Sequence, residues 1–337
     1  MKKHLNIPIF IPHLACPNDC VFCNQKKIAA TEKAPSVSEV KEMISEAIKT
    51  LSLDGERCEI AFFGGSFTGI DRDIMEGYLM AAAQFGDKIS GIRFSTRPDY
   101  ISPEIMDILR KYPVKTIELG MQSLDDKVLG MCNRGHNSAV CNYACELIRK
   151  EGYSLILQMM TGLPGDTYDG AVETARKVIA MHPDGVRIYP CITVKDTELE
   201  RMYNAGIYTP MSLKETVRLC AELTLMFEKE NIPIIRMGLF SEQSFTENSI
   251  AAGPYHPAFR ELCENYIYRT LLDTELAKLK DVGCVTVSVA PGHLSMAIGQ
   301  NRSNYNYFKD KYSLSKLVFK EDKNLSDRNF HIDTDKS

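Results

Sequence analysis

The chain has 337 residues, 44% hydrophobic and 25% charged, which suits a globular protein with room for one α/β domain and an appendage. A net charge of −4 excludes a uniformly basic nucleic-acid footprint, and no apolar run is long enough to span a membrane, so the expected location is the cytoplasm. Eleven cysteines, three of them within residues 16–23, argue for metal ligation or thiols in a reducing compartment and against a disulfide framework.

The basic N-terminus runs into an apolar stretch broken by Pro8, Pro12 and His13, which reads as a strand and not as a signal peptide. Strands are expected at residues 6–12, 58–63, 91–96, 116–121, 155–161, 186–191 and 232–237. Helical patterns lie between them at 38–51, 71–85, 103–111, 138–151, 168–181 and 213–230, with Ser38 as an N-cap and Pro103 in a first turn. Strict alternation of β and α predicts a parallel sheet with right-handed crossovers, a partial or full (β/α) TIM-like barrel. After residue 240 the rhythm changes to a polar stretch (241–257), a helix (258–279) and a strand (284–290). The expected division is a core barrel over 1–240, a small α/β extension over 241–325 and a mobile tail over 326–337, too polar to pack.

The strongest chemical signal is the C-x3-C-x2-C loop of Cys16, Cys20 and Cys23, directly after the first strand. Three thiolates can ligate three irons of a cubane and leave the fourth open. A zinc site with His13 as fourth ligand is the competing reading. The strand ends carry further candidates. Gly64, Gly65 and Ser66 follow strand two, where paired glycines admit a ligand close to the backbone or simply make a tight turn. Ser95, Thr96 and Arg97 follow strand three and offer two hydroxyls and a carboxylate-binding fork, or a helix-entry turn capped by Asp99 or Ser102. Glu118 and Gln122 alternate with apolar residues and share one strand face; a charge turned into a barrel is costly unless it has a partner. His136, Tyr189 and Cys191 are candidate catalytic groups on the substrate side, with a plain core role as the alternative for Tyr189 and Cys191. Arg134, Arg187 and Arg236 are candidate anion ligands. Cys132, Cys141 and Cys145 form either an auxiliary metal site or, at helical spacing beside alanines, a buried face.

The cysteine loop, with Phe22 just before its third cysteine, closely resembles the radical S-adenosylmethionine superfamily. The resemblance implies a [4Fe–4S] cluster and S-adenosylmethionine, chelated at the open iron by its methionine amino and carboxylate groups. It also implies a radical-SAM-type barrel and an electron donor of flavodoxin or ferredoxin type. It places Gly64 and Gly65 near the methionine amino group and Gly162 near adenine, and makes Phe22, Ser66, Ser95, Thr96, Arg97, Glu118, Gln122 and Arg187 cofactor-binding residues.

The blocks GGSFTGI, STRPD, ELGMQSLDD, NRGH, TGLPGDT and RIYPC resemble, over about residues 8–265, the radical domain of the Elongator catalytic subunit without its acetyltransferase domain. That family modifies the wobble uridine of transfer RNA, so transfer RNA is the implied partner. Lysines and tyrosines between 301 and 320 would supply the grip, and Lys26 with Lys27 adds a small basic cluster. Two other readings remain at this point. One is the oxygen-independent coproporphyrinogen oxidase branch, which has a similar cysteine loop and needs several arginines for its carboxylates. The other is a non-catalytic iron–sulfur or zinc module, against which the cofactor-type loops at Gly64, Ser95 and Gly162 speak.

Overall fold

Parallel strands with their apolar residues turned one way build the main unit, Met1–Ser212 with Met226–Tyr255, in a computed structural model. The described residues are 5–11, 20–23, 34–51, 58–239, 247–279 and 282–335. The seven-stranded sheet runs in the order β1 (Leu5–Ile11), β2 (Cys58–Gly64), β3 (Gly91–Thr96), β4 (Val114–Gln122), β5 (Ser154–Thr161), β6 (Gly185–Pro190) and β8 (Ile234–Met237). All neighbours pair in parallel, and β1 and β8 pair on one side only among the described residues. The sheet is therefore a partial barrel.

Helices α1 (Val37–Thr50), α2 (Arg72–Ala83), α3 (Pro103–Leu109), α4 (Asp126–Met131), α5 (Ser138–Lys150), α6 (Tyr168–Ala180), α7 (Glu198–Asn204) and α8 (Leu213–Lys229) follow or connect the strands. A short antiparallel pair joins β7 (Thr193–Val194) to β9 (Ile250–Ala252). Helix α1 starts one turn-signal earlier than expected. Ser36, not Ser38, is its cap: Ser36 Oγ accepts from Glu39 N–H at 3.2 Å while Glu39 accepts from Ser36 N–H at 2.6 Å, a reciprocal capping box. Ser102 caps α3 ahead of Pro103, as one sequence reading had it.

The two faces of the sheet differ chemically. Ile7, Ile9, Ile60, Phe62, Ile92, Phe94, Ile117, Leu119, Leu155, Leu157, Val186 and Ile188 are fully or nearly fully buried. They form the apolar core under the helices. The alternate positions give Glu59, Arg93, Ser95, Thr116, Glu118, Gln122, Gln158, Arg187, Tyr189 and Arg236. A filled TIM barrel carries branched aliphatic residues there. Here that face is polar, which is what a ligand-holding lumen needs.

The second unit comprises Leu213–Leu225 and His256–Ser337. It contains α9 (Phe259–Leu276), β10 (Cys284–Val289), α10 (Leu294–Ile298), α11 (Ser303–Lys311), β11 (Lys316–Glu321) and β12 (Phe330–Asp335). Its sheet order is β11-β10-β12, with β11 parallel and β12 antiparallel to β10. Tyr268, Leu272, Val287, Phe308 and Leu317 fill its core. Two expectations are corrected. The segment assigned to a mobile tail forms β12, and Arg328 grips Glu264 through two hydrogen bonds of 2.8 Å ahead of it. The division at 240 also moves, because 247–255 belong with the barrel and 213–225 with the second unit. No helix among the described residues is long and apolar enough to cross a membrane.

Candidate active site

Of the cysteine loop, Cys20, Phe22 and Cys23 are described; Cys16, His13, Lys26 and Lys27 lie outside the described residues. Cys23 N–H donates to Cys20 O at 2.9 Å, which closes a tight turn. The turn is held by main-chain bonds on both sides: Val21 N–H to Cys132 O at 3.2 Å, and Leu199 N–H to Val21 O at 2.7 Å. Val21 and Phe22 pack with Val128, Cys132, Leu163, Cys191, Leu199 and Tyr208. The apolar residues of the motif therefore anchor it to α4 and α7, and its sulfurs need not take part in the packing.

At the end of β2, Gly64 has φ +122°, and a Cβ there would lie 2.1 Å from Ile11 O. Gly65 N–H donates to that same carbonyl at 3.1 Å. The bare backbone thus lets the ends of β1 and β2 meet beside the cysteine loop. Gly64→Ala combines a disallowed φ with a hard clash, so it should destabilise the barrel by at least about 2 kcal/mol. Denaturant titration of the metal-free protein measures this; an unchanged midpoint would show that β2 can relax there.

The STRPD block divides between two jobs. Ser95 Oγ faces the lumen and reaches Glu118 at 3.4 Å. Thr96 turns away and bonds Thr68 Oγ1 at 2.7 Å. Arg97 does not present a free fork: its Nε and Nη2 bind Asp99 at 2.9 and 2.8 Å, and Nη2 also donates to Arg134 O. His136 Nδ1 lies 3.6 Å from Asp99. Burial opposes ionisation of Asp99, yet His136 and Arg97 together hold its carboxyl well below the usual carboxylate range. His136 thus sits with its side chain fully buried against Asp99, and its Nε2 has no hydrogen-bond partner among the described residues.

The lumen is organised around Glu118. Arg93 donates to it from β3, and Arg187 Nε and Nη2 approach it at 2.9 and 3.1 Å from β6. Arg93 also reaches Glu59 at 3.2 Å, and Glu59 accepts from Thr116 at 3.0 Å. Burial works against the Arg187 charge, but the Glu118 carboxylate and Tyr189 together more than offset it and raise the Arg187 pKa. Arg187 Nη1 is 3.4 Å from Tyr189 Oη. Gln122 takes φ +71°, strained for a non-glycine, at a register shift in β4, and accepts from Gln158 at 3.1 Å. Gly162 is pinned at both ends, by Asp166 on its N–H (2.9 Å) and by the Tyr208 hydroxyl on its carbonyl (2.7 Å). Burial pushes the Asp166 carboxyl up to about 6.

The structure therefore brings Ser95, Glu118, Gln122, Arg187 and Tyr189 to one polar face. It sets Thr96, Arg97 and His136 to bracing loops. Cys191 is buried in the apolar cluster beside the Tyr208 hydroxyl, and burial pushes its thiol up to about 12. Cys141 and Cys145 are buried thiols on one face of α5, also pushed up to about 12, and Cys132 lies in a different cluster. Among the described residues no three potential ligands converge on a metal. Arg187 and Arg236 are register partners, whereas Arg134 lies at Cys20. Sequence reasoning missed Glu59, Arg93, Gln158, Asp166 and Tyr208, and offered Asp99 only as a helix cap. The signal for the first two was the same period-2 alternation that exposed Glu118.

The model of the Radical SAM superfamily matches residues 10–178, and that of the Radical SAM C-terminal domain matches 183–269. The chain belongs to the radical SAM superfamily. An uncharacterized protein of Methanocaldococcus jannaschii is 29% identical over 66% of this chain and 71% of its own length. A tRNA uridine(34) acetyltransferase of Dehalococcoides mccartyi is 25% identical over 60% of this chain; the match spans only 52% of the acetyltransferase. Among solved structures, an archaeal Elp3 of Methanocaldococcus infernus superposes with a TM-score of 0.61 at 18% identity, covering 80% of this chain and 64% of that one. As a radical SAM enzyme the chain uses a [4Fe–4S] cluster and S-adenosylmethionine and needs an electron donor. The residues present fit both groups. The Cys20–Cys23 turn is fixed through its backbone, and a buried arginine beside Cys20 keeps one N–H, Nε, without a hydrogen-bond partner among the described residues.

Proposed function

We propose that the chain acts on a nucleoside of transfer RNA in the cytoplasm, with Cys16, Cys20 and Cys23 as cluster ligands and the polar concave face as the cofactor lumen. The observation that carries the cofactor half is the Glu118 network, which gathers charged side chains from four strands below the cysteine turn's end of the sheet. Once bound, the two cofactors supply one-electron cleavage to methionine and a 5′-deoxyadenosyl radical, which takes a hydrogen atom from substrate. The chain's own residues bind and orient. Gly64, Gly65 and Ser66 border the methionine end. Glu118, oriented by Arg93 and Arg187, and Ser95 with Gln122 offer polar groups to the ribose. Phe22 and Gly162 border the adenine. Tyr189 faces the substrate side, whereas Cys191, anticipated there, is buried in the apolar cluster; Arg97 and His136 work at one remove, by bracing the loops.

The relatives named tRNA uridine(34) acetyltransferases, matched over 60%, 36% and 52% of this chain, support the RNA half. The anticipated grip at 301–320 is weaker than its composition promised. Lys311 is paired with Asp273 at 2.8 Å and lies over Tyr307 and Tyr312, and Arg302 lies over Tyr305, so in this stretch Lys309, Lys316 and Lys320 carry exposed charge without such a pairing. The test is anaerobic turnover with S-adenosylmethionine, dithionite or reduced flavodoxin, and bulk transfer RNA. Deoxyadenosine release should rise by about tenfold or more when RNA is present, because remote binding energy assembles the reacting geometry. It should decline as salt is added. A rate indifferent to RNA would move the substrate to a small molecule.

A further inference from the structure

We propose that Arg134 is a positioning residue for electron entry, raising the reduction potential of the cluster through Cys20. The inference rests on the cluster assignment above. Arg134 is 5% exposed and sits in the loop after α4. Its Nη1 donates to Cys20 Sγ at 3.1 Å, and its Nη2 donates to Gly120 O at 2.6 Å, at the end of β4. Among the described residues it has no carboxylate partner, and Nε makes no hydrogen bond. The nearby carboxylates are spoken for: Asp99 by Arg97 and His136, Glu118 by Arg93 and Arg187.

A guanidinium is charged at every accessible pH, and a buried cation without an anion is costly. The group able to compensate Arg134 is the thiolate-ligated cluster itself. Its placement is also over-determined. Arg134 N–H donates to Leu129 O at 3.1 Å, and its carbonyl accepts from Arg97, itself locked to Asp99. Cys20 is tied to this same α4 C-terminus, through the Val21 N–H bond to Cys132 O. Donor and sulfur are thus both tied by main-chain bonds to the end of α4, and their approach does not depend on a flexible side chain finding its partner.

The electrostatic consequence has a definite sign. Reduction adds one negative charge to the cluster. A positive charge and an N–H aimed at a ligating sulfur stabilise that added charge, so the potential rises. The acceptor that must take an electron before any chemistry is thereby made easier to reduce.

The experiment is potentiometric titration of reconstituted protein without S-adenosylmethionine, following the paramagnetic reduced cluster, for wild type and Arg134→Gln. Both should carry a full complement of iron and sulfide. At a poise where wild type is half reduced, the variant's reduced-to-oxidised ratio should fall about tenfold, which is about 59 mV for a one-electron couple. If Arg134→Gln loads poorly, Arg134→Lys carries the test. It keeps the charge but cannot span from Gly120 O to Cys20 Sγ, so a potential below wild type is expected. A loaded variant with wild-type potential overturns the proposal, as does loss of S-adenosylmethionine affinity at the oxidised cluster with no change in potential, which would assign Arg134 to the cofactor carboxylate. Wild type that takes up no cluster would instead overturn the cluster assignment.

Discussion

Alanine at Cys20 or at Cys23 should remove the cluster and, with it, all deoxyadenosine formation. In the proposed assignment each thiolate supplies one of three bonds to a cubane, and no other described thiol is poised to replace it. Cys141, Cys145 and Cys191 are buried and their thiols are pushed up to about 12, so at neutral pH they are protonated and poor ligands. The barrel should survive the loss. The turn is held by Val21 and Leu199 backbone bonds and by the packing of Val21 and Phe22, none of which needs a sulfur. Iron analysis should therefore drop from about four atoms per chain to background while the far-ultraviolet circular dichroism is unchanged. Cys141→Ala is the control and should load normally. A Cys20→Ala protein that still holds a reducible cluster and releases deoxyadenosine would sink the assignment.

How the sequence announces this site, and where it does not, follows from the range of the interactions involved. The cysteine turn, the Gly64 bend and the strand rhythm are local. Each is fixed by residues within a few positions, so motif and periodicity reveal them. Capping is local as well, yet two serines compete for α1; only the reciprocal bond between Ser36 and Glu39 decides, and Ser38 satisfies no such geometry. The lumen network is not local. Glu59, Arg93, Glu118 and Arg187 come from four strands, and their convergence depends on register that pairs Ser95 with Glu118 and Gln158 with Arg187. A single strand shows only that one face carries polar residues. Arg97 misleads for a different reason. Its fork is suited to a cofactor carboxylate, but Asp99, two residues on, satisfies it first. Composition misled at the C-terminus, where β12 alternates Phe330 and Ile332, packed against the second unit's core, with polar residues, and is ordered by its ladder with β10 and by the Arg328–Glu264 pair.

The largest stability effect should come from Glu118→Gln, a change of nearly the same shape. In the native lumen two guanidinium groups, Arg93 and Arg187, share one carboxylate that is 4% exposed. Removing that charge takes the Glu118 ion pair from Arg187 and one of two carboxylates from Arg93, which keeps Glu59, in surroundings where water cannot compensate them. Breaking a buried pair on one side costs about 3–5 kcal/mol. For a domain of this size that is a fall of roughly 6–20 °C in the unfolding midpoint. Charge, not shape, is the cause, and this separates the account from simple loss of packing. Adding Arg187→Met to Glu118→Gln removes the orphaned cation and should recover about half of the lost stability, although each change alone is destabilising. If the double variant is no more stable than Glu118→Gln, the two residues are not coupled and the lumen owes its order to something else. Glu118→Gln should also bind S-adenosylmethionine more weakly even where it remains folded, because the same carboxylate that balances the arginines is the one we propose for the ribose.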